Sequence, residues 1–249
     1  MSLASGEGTT LHSSPGHILS IRLFAVAEVV MAAVVGILGP RLLIFLGVSL
    51  DEAMSNSRVL GLLLFADASC TIGFLWGMQL LRGRTLKSLG WSRRGRVREI
   101  LLGLWVFPGL LLLMFLVSRL FQAFLPGWVS EENPVLALIA TPVDLVIFLA
   151  ASLFVGGIKE ELQRAFILSR FEDHLGGALP GLVLWSIAFG WMHNVQGADN
   201  AVKAGLLGLV LGLLYWKRQR LEAPMVAHAL FDVVVVFLVY FFPQLAGSS

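Results

Sequence analysis

The sequence predicts an all-α fold, a polytopic transmembrane helical bundle of about seven to eight spans, on three observations. Of 249 residues, 57% are hydrophobic and only 14% charged, with a mean hydropathy of +0.84, too apolar for a soluble domain of this length. The apolar residues fall in runs close to the ~20 that an α-helix needs to cross a bilayer. Two short, strongly basic segments separate some of these runs, which is how cytoplasmic loops announce themselves.

Taken in order, residues 1–17 are rich in Ser, Gly and Thr and lack the apolar core of a signal peptide; they read as a disordered cytoplasmic tail. Residues 18–249 form a single membrane domain, with spans placed near 18–38, 58–81, 99–121, 136–168, 179–195, 200–216 and 223–243. The apolar run 41–50 is an interfacial segment or an incomplete eighth span. The single cysteine, Cys70, excludes an intrachain disulfide framework and reads as a packing residue inside the second span. Arg82, Arg84, Lys87, Arg93, Arg94, Arg96 and Arg98 put the loop after that span on the cytoplasmic side. Lys217, Arg218 and Arg220 return the chain to the same side, so an even number of spans separates the two clusters. Neither an internal repeat nor a long linker is visible. The net charge of +2 belongs to these loops; no aromatic interleaving accompanies it, and no nucleic-acid partner is expected.

The most informative residues are charged and imidazole groups at membrane depth. Burying a charge at the bilayer centre costs roughly 2.5–3.5 kcal/mol on insertion scales, so such groups usually face a protein-lined or watery cavity and act there. Glu160, Glu161 and Arg164 lie in the fourth span, His193 in the fifth, and His228 and Asp232 in the last. Structural polar contacts between helices are the plainer explanation of any one of them, less so of six at helical spacing. Glu160 and Arg164 are one turn apart and can form an ion pair, while Glu161 points about 100° away from Glu160. Gly156 and Gly157 just upstream permit a close helix approach or a bend. Phe189 and His193 share a face at four-residue spacing, as do His228 and Asp232.

This inventory suits hydrolysis. A carboxylate and a histidine can position and deprotonate water, while a second histidine with Asp232 stabilises the oxyanion. Glu160, His193 and His228 can equally be read as a His₂Glu set for a catalytic zinc, so a divalent metal such as zinc stays open as cofactor. Asp232 would repel an oxyanion if ionised and would serve it if protonated; orienting His228 or binding a metal are its other roles.

The ordered set Glu160-Glu161 with Arg164, Phe189 with His193, and His228 with Asp232 resembles the motif signature of the CPBP family, the CAAX proteases and bacteriocin-processing enzymes, whose eukaryotic relatives are the type II CAAX prenyl endopeptidases. The resemblance covers about residues 136–240, the motif-bearing catalytic half being about 136–243; the N-terminal half is similar only in being hydrophobic. It implies an intramembrane endopeptidase, metallo- or glutamate-type, in which Glu160 and His193 activate water, Glu161 and Arg164 support that carboxylate, and His228 and Asp232 shape the oxyanion site. Many members carry Asn where this chain has Asp232.

The expected partners are the lipid bilayer and a peptide or protein substrate cleaved near the membrane surface, in a cavity open to the cytoplasm. The expected location is the plasma membrane of a prokaryote, multi-pass, with the N-terminus cytoplasmic. A proton-coupled transporter or a catalytically silent scaffold is the alternative. Against the transporter stand the absence of a visible inverted repeat and the gathering of these charges in one half of the chain. One geometric tension accompanies the reading. Ideal straight spans place His228 about 8 Å and His193 about 21 Å from the cytoplasmic ends of their helices.

Overall fold

The computed structural model describes residues 15–42, 47 and 49–245. The tail expected over 1–17 lies outside the described residues as far as residue 14, and the segment expected over 41–50 lies partly outside them. Every element among the described residues is helical: α1 (Pro15–Leu42), α2 (Leu50–Ser55), α3 (Ser57–Leu81) and α4 (Arg96–Phe124). A continuous rod follows, made of α5 (Pro142–Ala151), a π-helical stretch (Ser152–Glu160) and α6 (Glu161–His174), and then come α7 (Ala178–Met192), α8 (Ala198–Arg218) and α9 (Glu222–Phe241). Among the described residues, six helical stretches are long and apolar enough to cross a membrane, the rod being one. The span expected at 179–195 is α7, whose 15 residues reach only about 22 Å and stop before His193.

Local chemistry sets the boundaries. The Asn56 side chain accepts from the backbone N–H groups of Arg58 and Val59 and starts α3. Thr141 and Asp144 form a capping box at the head of the rod, with Pro142 in the first turn where its missing N–H costs nothing. Ser57 donates to Asp144, which pins the starts of α3 and the rod at one end of the bundle.

The two basic loops meet at the opposite end. Arg220 donates to the carbonyls of Arg94 at 2.7 Å and Ser92 at 3.2 Å, and Glu222 accepts from the Ser92 N–H at 3.0 Å. Gly90, at φ +95°, lies so close to this turn that a Cβ would stand 2.5 Å from the Gln219 carbonyl oxygen, a position open only to glycine. We call this the basic end. At the far end Asp199 accepts from the Ser130 N–H and hydroxyl, tying the α7–α8 turn to the loop before the rod. Both basic clusters at one end is what an even number of intervening spans requires.

At the centre stands α6. Residues 161–168 are buried without a break, and Leu162, Phe166 and Ile167 pack with Leu75, Leu182 and Trp185 in the largest core cluster. This helix is polar for its burial, because it also carries Glu161, Gln163, Arg164 and Arg170. Outward faces show the reverse. Trp105, Phe124 and Trp191 are exposed, as lipid-facing side chains are. Two expectations are corrected here. Cys70 is exposed on α3 rather than packed. Buried charge is not confined to the C-terminal half, since Glu28 on α1 and Asp67 on α3 are buried too.

Candidate active site

The π-helical stretch, α6, α7 and α9 bring the motif residues together. Gly156 and Gly157 make that possible: a Cβ on Gly157 would stand 2.9 Å from the Ala229 methyl, and one on Gly156 would collide with the Asp232 carboxylate. α9 thus lies directly against the π-helical stretch, and His228 and Asp232, one turn apart, face Glu160. The His228 Nε2 edge is 3.8 Å from Glu160 Oε2 and 3.7 Å from Asp232 Oδ2.

Beneath this edge the charges are linked. His228 Nδ1 lies 2.7 Å from Glu161 Oε1, the same oxygen that receives Arg164 Nη1. The one-turn spacing suggested a pair between Glu160 and Arg164; Arg164 instead takes Glu161. Both of these are fully buried, whereas the Glu160 side chain stays 14% exposed and lines the cavity. A buried guanidinium takes the carboxylate that shares its burial, because a buried charge left unpaired costs several kcal/mol, about 3–5 when one partner is removed. Arg164 also stacks over the Phe189 ring at 5.2 Å, so its packing and its ion pair fix the same geometry.

His193 sits just past the end of α7, with Nδ1 2.8 Å from the Phe189 carbonyl oxygen. A carbonyl only accepts, so Nδ1 carries a proton, and in the neutral ring Nε2 is then the nitrogen with the lone pair. The Phe189 ring stands 4.5 Å from the His193 ring and 6.4 Å from the His228 ring, centre to centre. The depth tension is thereby relieved. The two imidazoles occupy different levels of one wall, with Phe189 in contact with both.

Glu160, His193, His228 and Asp232 all line one cavity of about 480 Å³, within the ~300–1,000 Å³ usual for small-ligand sites. Its walls are largely apolar, with Leu111, Met114, Phe148, Leu207 and Phe231 among them, and Asn133, Gln196, Asn200 and Lys203 add a polar group at the far end. The expected cytoplasmic opening finds no support in this lining, which includes no residue of the two basic loops. Glu161 and Arg164 do not line the cavity; they lie behind it.

The zinc reading fares less well. Among the described residues no three of His, Cys, Asp and Glu stand together so as to hold a metal ion, so Glu160, His193 and His228 do not form a ligand set in this arrangement.

Two residues near the site were missed in the sequence. Lys159, buried beside Glu160, pairs with Asp67 of α3 at 2.9 Å. The signal was available: Asp67 is a carboxylate inside an apolar span, the same anomaly that exposed the motif residues. α3 and α4 also supply cavity wall through Leu64, Leu111 and Met114, and no pattern distinguishes these from lipid-facing residues.

No curated protein and no solved structure matches the chain significantly. One family model does, described as type II CAAX prenyl endopeptidase Rce1-like, over residues 141–234. The match begins at the Thr141 cap of the rod and ends just past Asp232, taking in all six motif residues and leaving α1 to α4 outside. The segment of this integral membrane protein that carries Glu160, His193 and His228 is thus similar to the Rce1-like family of type II CAAX prenyl endopeptidases.

Proposed function

We propose that the protein is an intramembrane endopeptidase in which Glu160 and His193 activate water without a metal. The observation that carries this reading is the convergence of Glu160, His193, His228 and Asp232, from three separate helical segments, on one largely apolar cavity. The family's description supports peptide-bond hydrolysis as the reaction.

A water held between the Glu160 carboxylate and His193 Nε2 gives up a proton to one of them as its oxygen attacks the scissile carbonyl carbon. The carbonyl oxygen becomes an oxyanion, and the His228 Nε2 edge, when protonated, donates to it; Asp232, when protonated, is a second donor. Collapse of the tetrahedral intermediate breaks the C–N bond, and the stored proton leaves with the amine. Glu161 and Arg164 do not touch the substrate in this scheme. They hold His228 from behind, so its Nε2 edge is preset.

Purified protein incubated with a panel of quenched peptides, with and without a metal chelator, tests this. Cleavage that persists in chelator and disappears in Glu160→Gln is expected. Cleavage abolished by chelator and restored by zinc would overturn the metal-free mechanism, and equal cleavage by Glu160→Gln would overturn the site.

A further inference from the structure

Depth along the helices decides from which side a substrate can reach Glu160. On α8 and α9 the basic end is at residues 218 and 222, and on the rod it is at residue 174. Measured from those points, the cavity residues Ala204, Leu207, Val235, Val239, Phe148 and Ser152 all lie in the half of the bundle remote from the basic loops. Among the lining residues of each element, His228 is the nearest to the basic end on α9 and Glu160 the nearest on the rod, so the two form the floor between these helices.

Below that floor the bundle is closed. Arg164, Leu211, Tyr215, Leu221 and Ala223 are buried, as is Leu89 of the basic loop. The helices there touch too closely to leave a passage: a Cβ on Gly103 would stand 2.6 Å from the Ala223 carbonyl oxygen, and one on Gly90 2.5 Å from that of Gln219. Above the floor the reverse holds. Gln196, Asn200 and Lys203 are partly exposed and line the cavity at the far end, in the turn after the short α7 and the first turns of α8. Because α7 stops after 15 residues, polar side chains at this end stand where a full span would have placed apolar ones.

We infer that the active-site cavity is entered from the face of the membrane opposite the basic loops, the non-cytoplasmic face by the positive-inside rule. Its substrate is accordingly an extended segment of a membrane-associated peptide presented on that face. This inference rests on the peptidase reading for its substrate, while its geometry is independent of it.

The test uses the full-length protein in Cys70→Ser form, in sealed right-side-out vesicles, with a charged maleimide that does not cross the bilayer. Maleimides need a hydrated thiolate, so labelling reports water-filled space. Gln196→Cys and Asn200→Cys are expected to label from outside and to lose that labelling when external thiols are blocked first, whereas Arg94→Cys is expected to label only after the vesicles are opened. Labelling of 196 and 200 from the same side as 94, or from neither side, would overturn the inference. A separate measurement keeps the two readings apart. Detergent-solubilised protein that cleaves no peptide counts against the peptidase reading, and the labelling pattern still decides the side of entry. If the solubilised protein is active, peptide supplied outside the vesicles should be cleaved and peptide sealed inside them should not.

Discussion

Two clusters of buried charge hang on α6, and they are built to different ends. Toward α1 and α3, Glu28 receives Arg82 through two short bonds of 2.7 and 2.6 Å, and Arg170 Nε lies 2.8 Å from the same carboxylate, though off the line of a hydrogen bond. Arg170 also donates to Gln79 at 2.7 Å and stacks on Phe166 at 4.3 Å. Toward α9, one oxygen of Glu161 takes both Arg164 and His228, while its other oxygen and two Arg164 nitrogens find no hydrogen-bond partner among the described residues. The first cluster is largely satisfied and touches no part of the cavity. The second is under-satisfied and stands behind the cavity floor, where unsatisfied polar atoms call for a functional explanation. Intramembrane charge alone therefore does not mark an active site; charge beside a cavity, with hydrogen-bonding capacity in reserve, does.

Disabling each cluster in turn separates their roles. Glu160→Gln or His193→Ala should lower peptidase activity by about 10²–10⁴ with unchanged thermal unfolding of the purified protein. Arg170→Met should do the opposite, costing about 1–3 kcal/mol of stability by leaving the buried Gln79 amide without its partner while Glu28 keeps Arg82, and the protein that remains folded should cleave at the wild-type rate. If Arg170→Met instead lowered the rate of the folded fraction, the two clusters would be one system.

A smaller perturbation addresses the glycine contact. In Gly156→Ala the new methyl would strike the Asp232 carboxylate and approach His228 Nε2 to 3.6 Å. The expected loss is about 10²-fold in rate, the cost of a displacement near 1 Å at a reacting centre. Stability should not fall, because alanine is the better helix former by about 1 kcal/mol and the partly exposed Asp232 side chain can swing aside. Wild-type kcat in this variant would show that the position of Asp232 does not matter.

The mildest change sharpens the role of that residue. Asp232→Asn keeps a hydrogen-bond donor and should remain within about tenfold of wild type, a single net hydrogen bond being worth ~1 kcal/mol; Asp232→Ala should fall further. An inactive Asp232→Asn beside a folded protein would mean that the negative charge itself is required.

Much of this was legible in the sequence. Span positions followed from hydropathy because a lipid-facing helix repeats the same physical demand over its whole length, and the joining of the basic loops followed from their charge. Glu160, His193, His228 and Asp232 stood out as charges or imidazoles in apolar runs. The choice of Glu161 by Arg164 was not legible, since spacing ranks neighbours on one helix whereas burial, which α9 imposes from outside, decides between them. Asp67 and Glu28 were overlooked because each is a lone acid with its partner far away in the chain, Lys159 for one and Arg82 and Arg170 for the other. The direction of the cavity depended on where α7 stops, which hydropathy blurs by several residues.

The π-helical stretch has a mechanical consequence. Its i→i+5 repeat separates two α-helical halves whose faces need not be in step, so Asp144 can be aimed at Ser57 while Glu161 and Arg164 are aimed at His228. In an ordinary spanning helix the loss of one residue swings everything beyond it by about 100°. Here a one-residue deletion within 152–159 can be absorbed by rewinding a wide turn into an α turn, leaving the bearings of both halves nearly intact. The stretch acts as a joint of adjustable length, through which indels can shift the outer half of the rod along its axis without turning the carboxylates of the inner half away from their histidine.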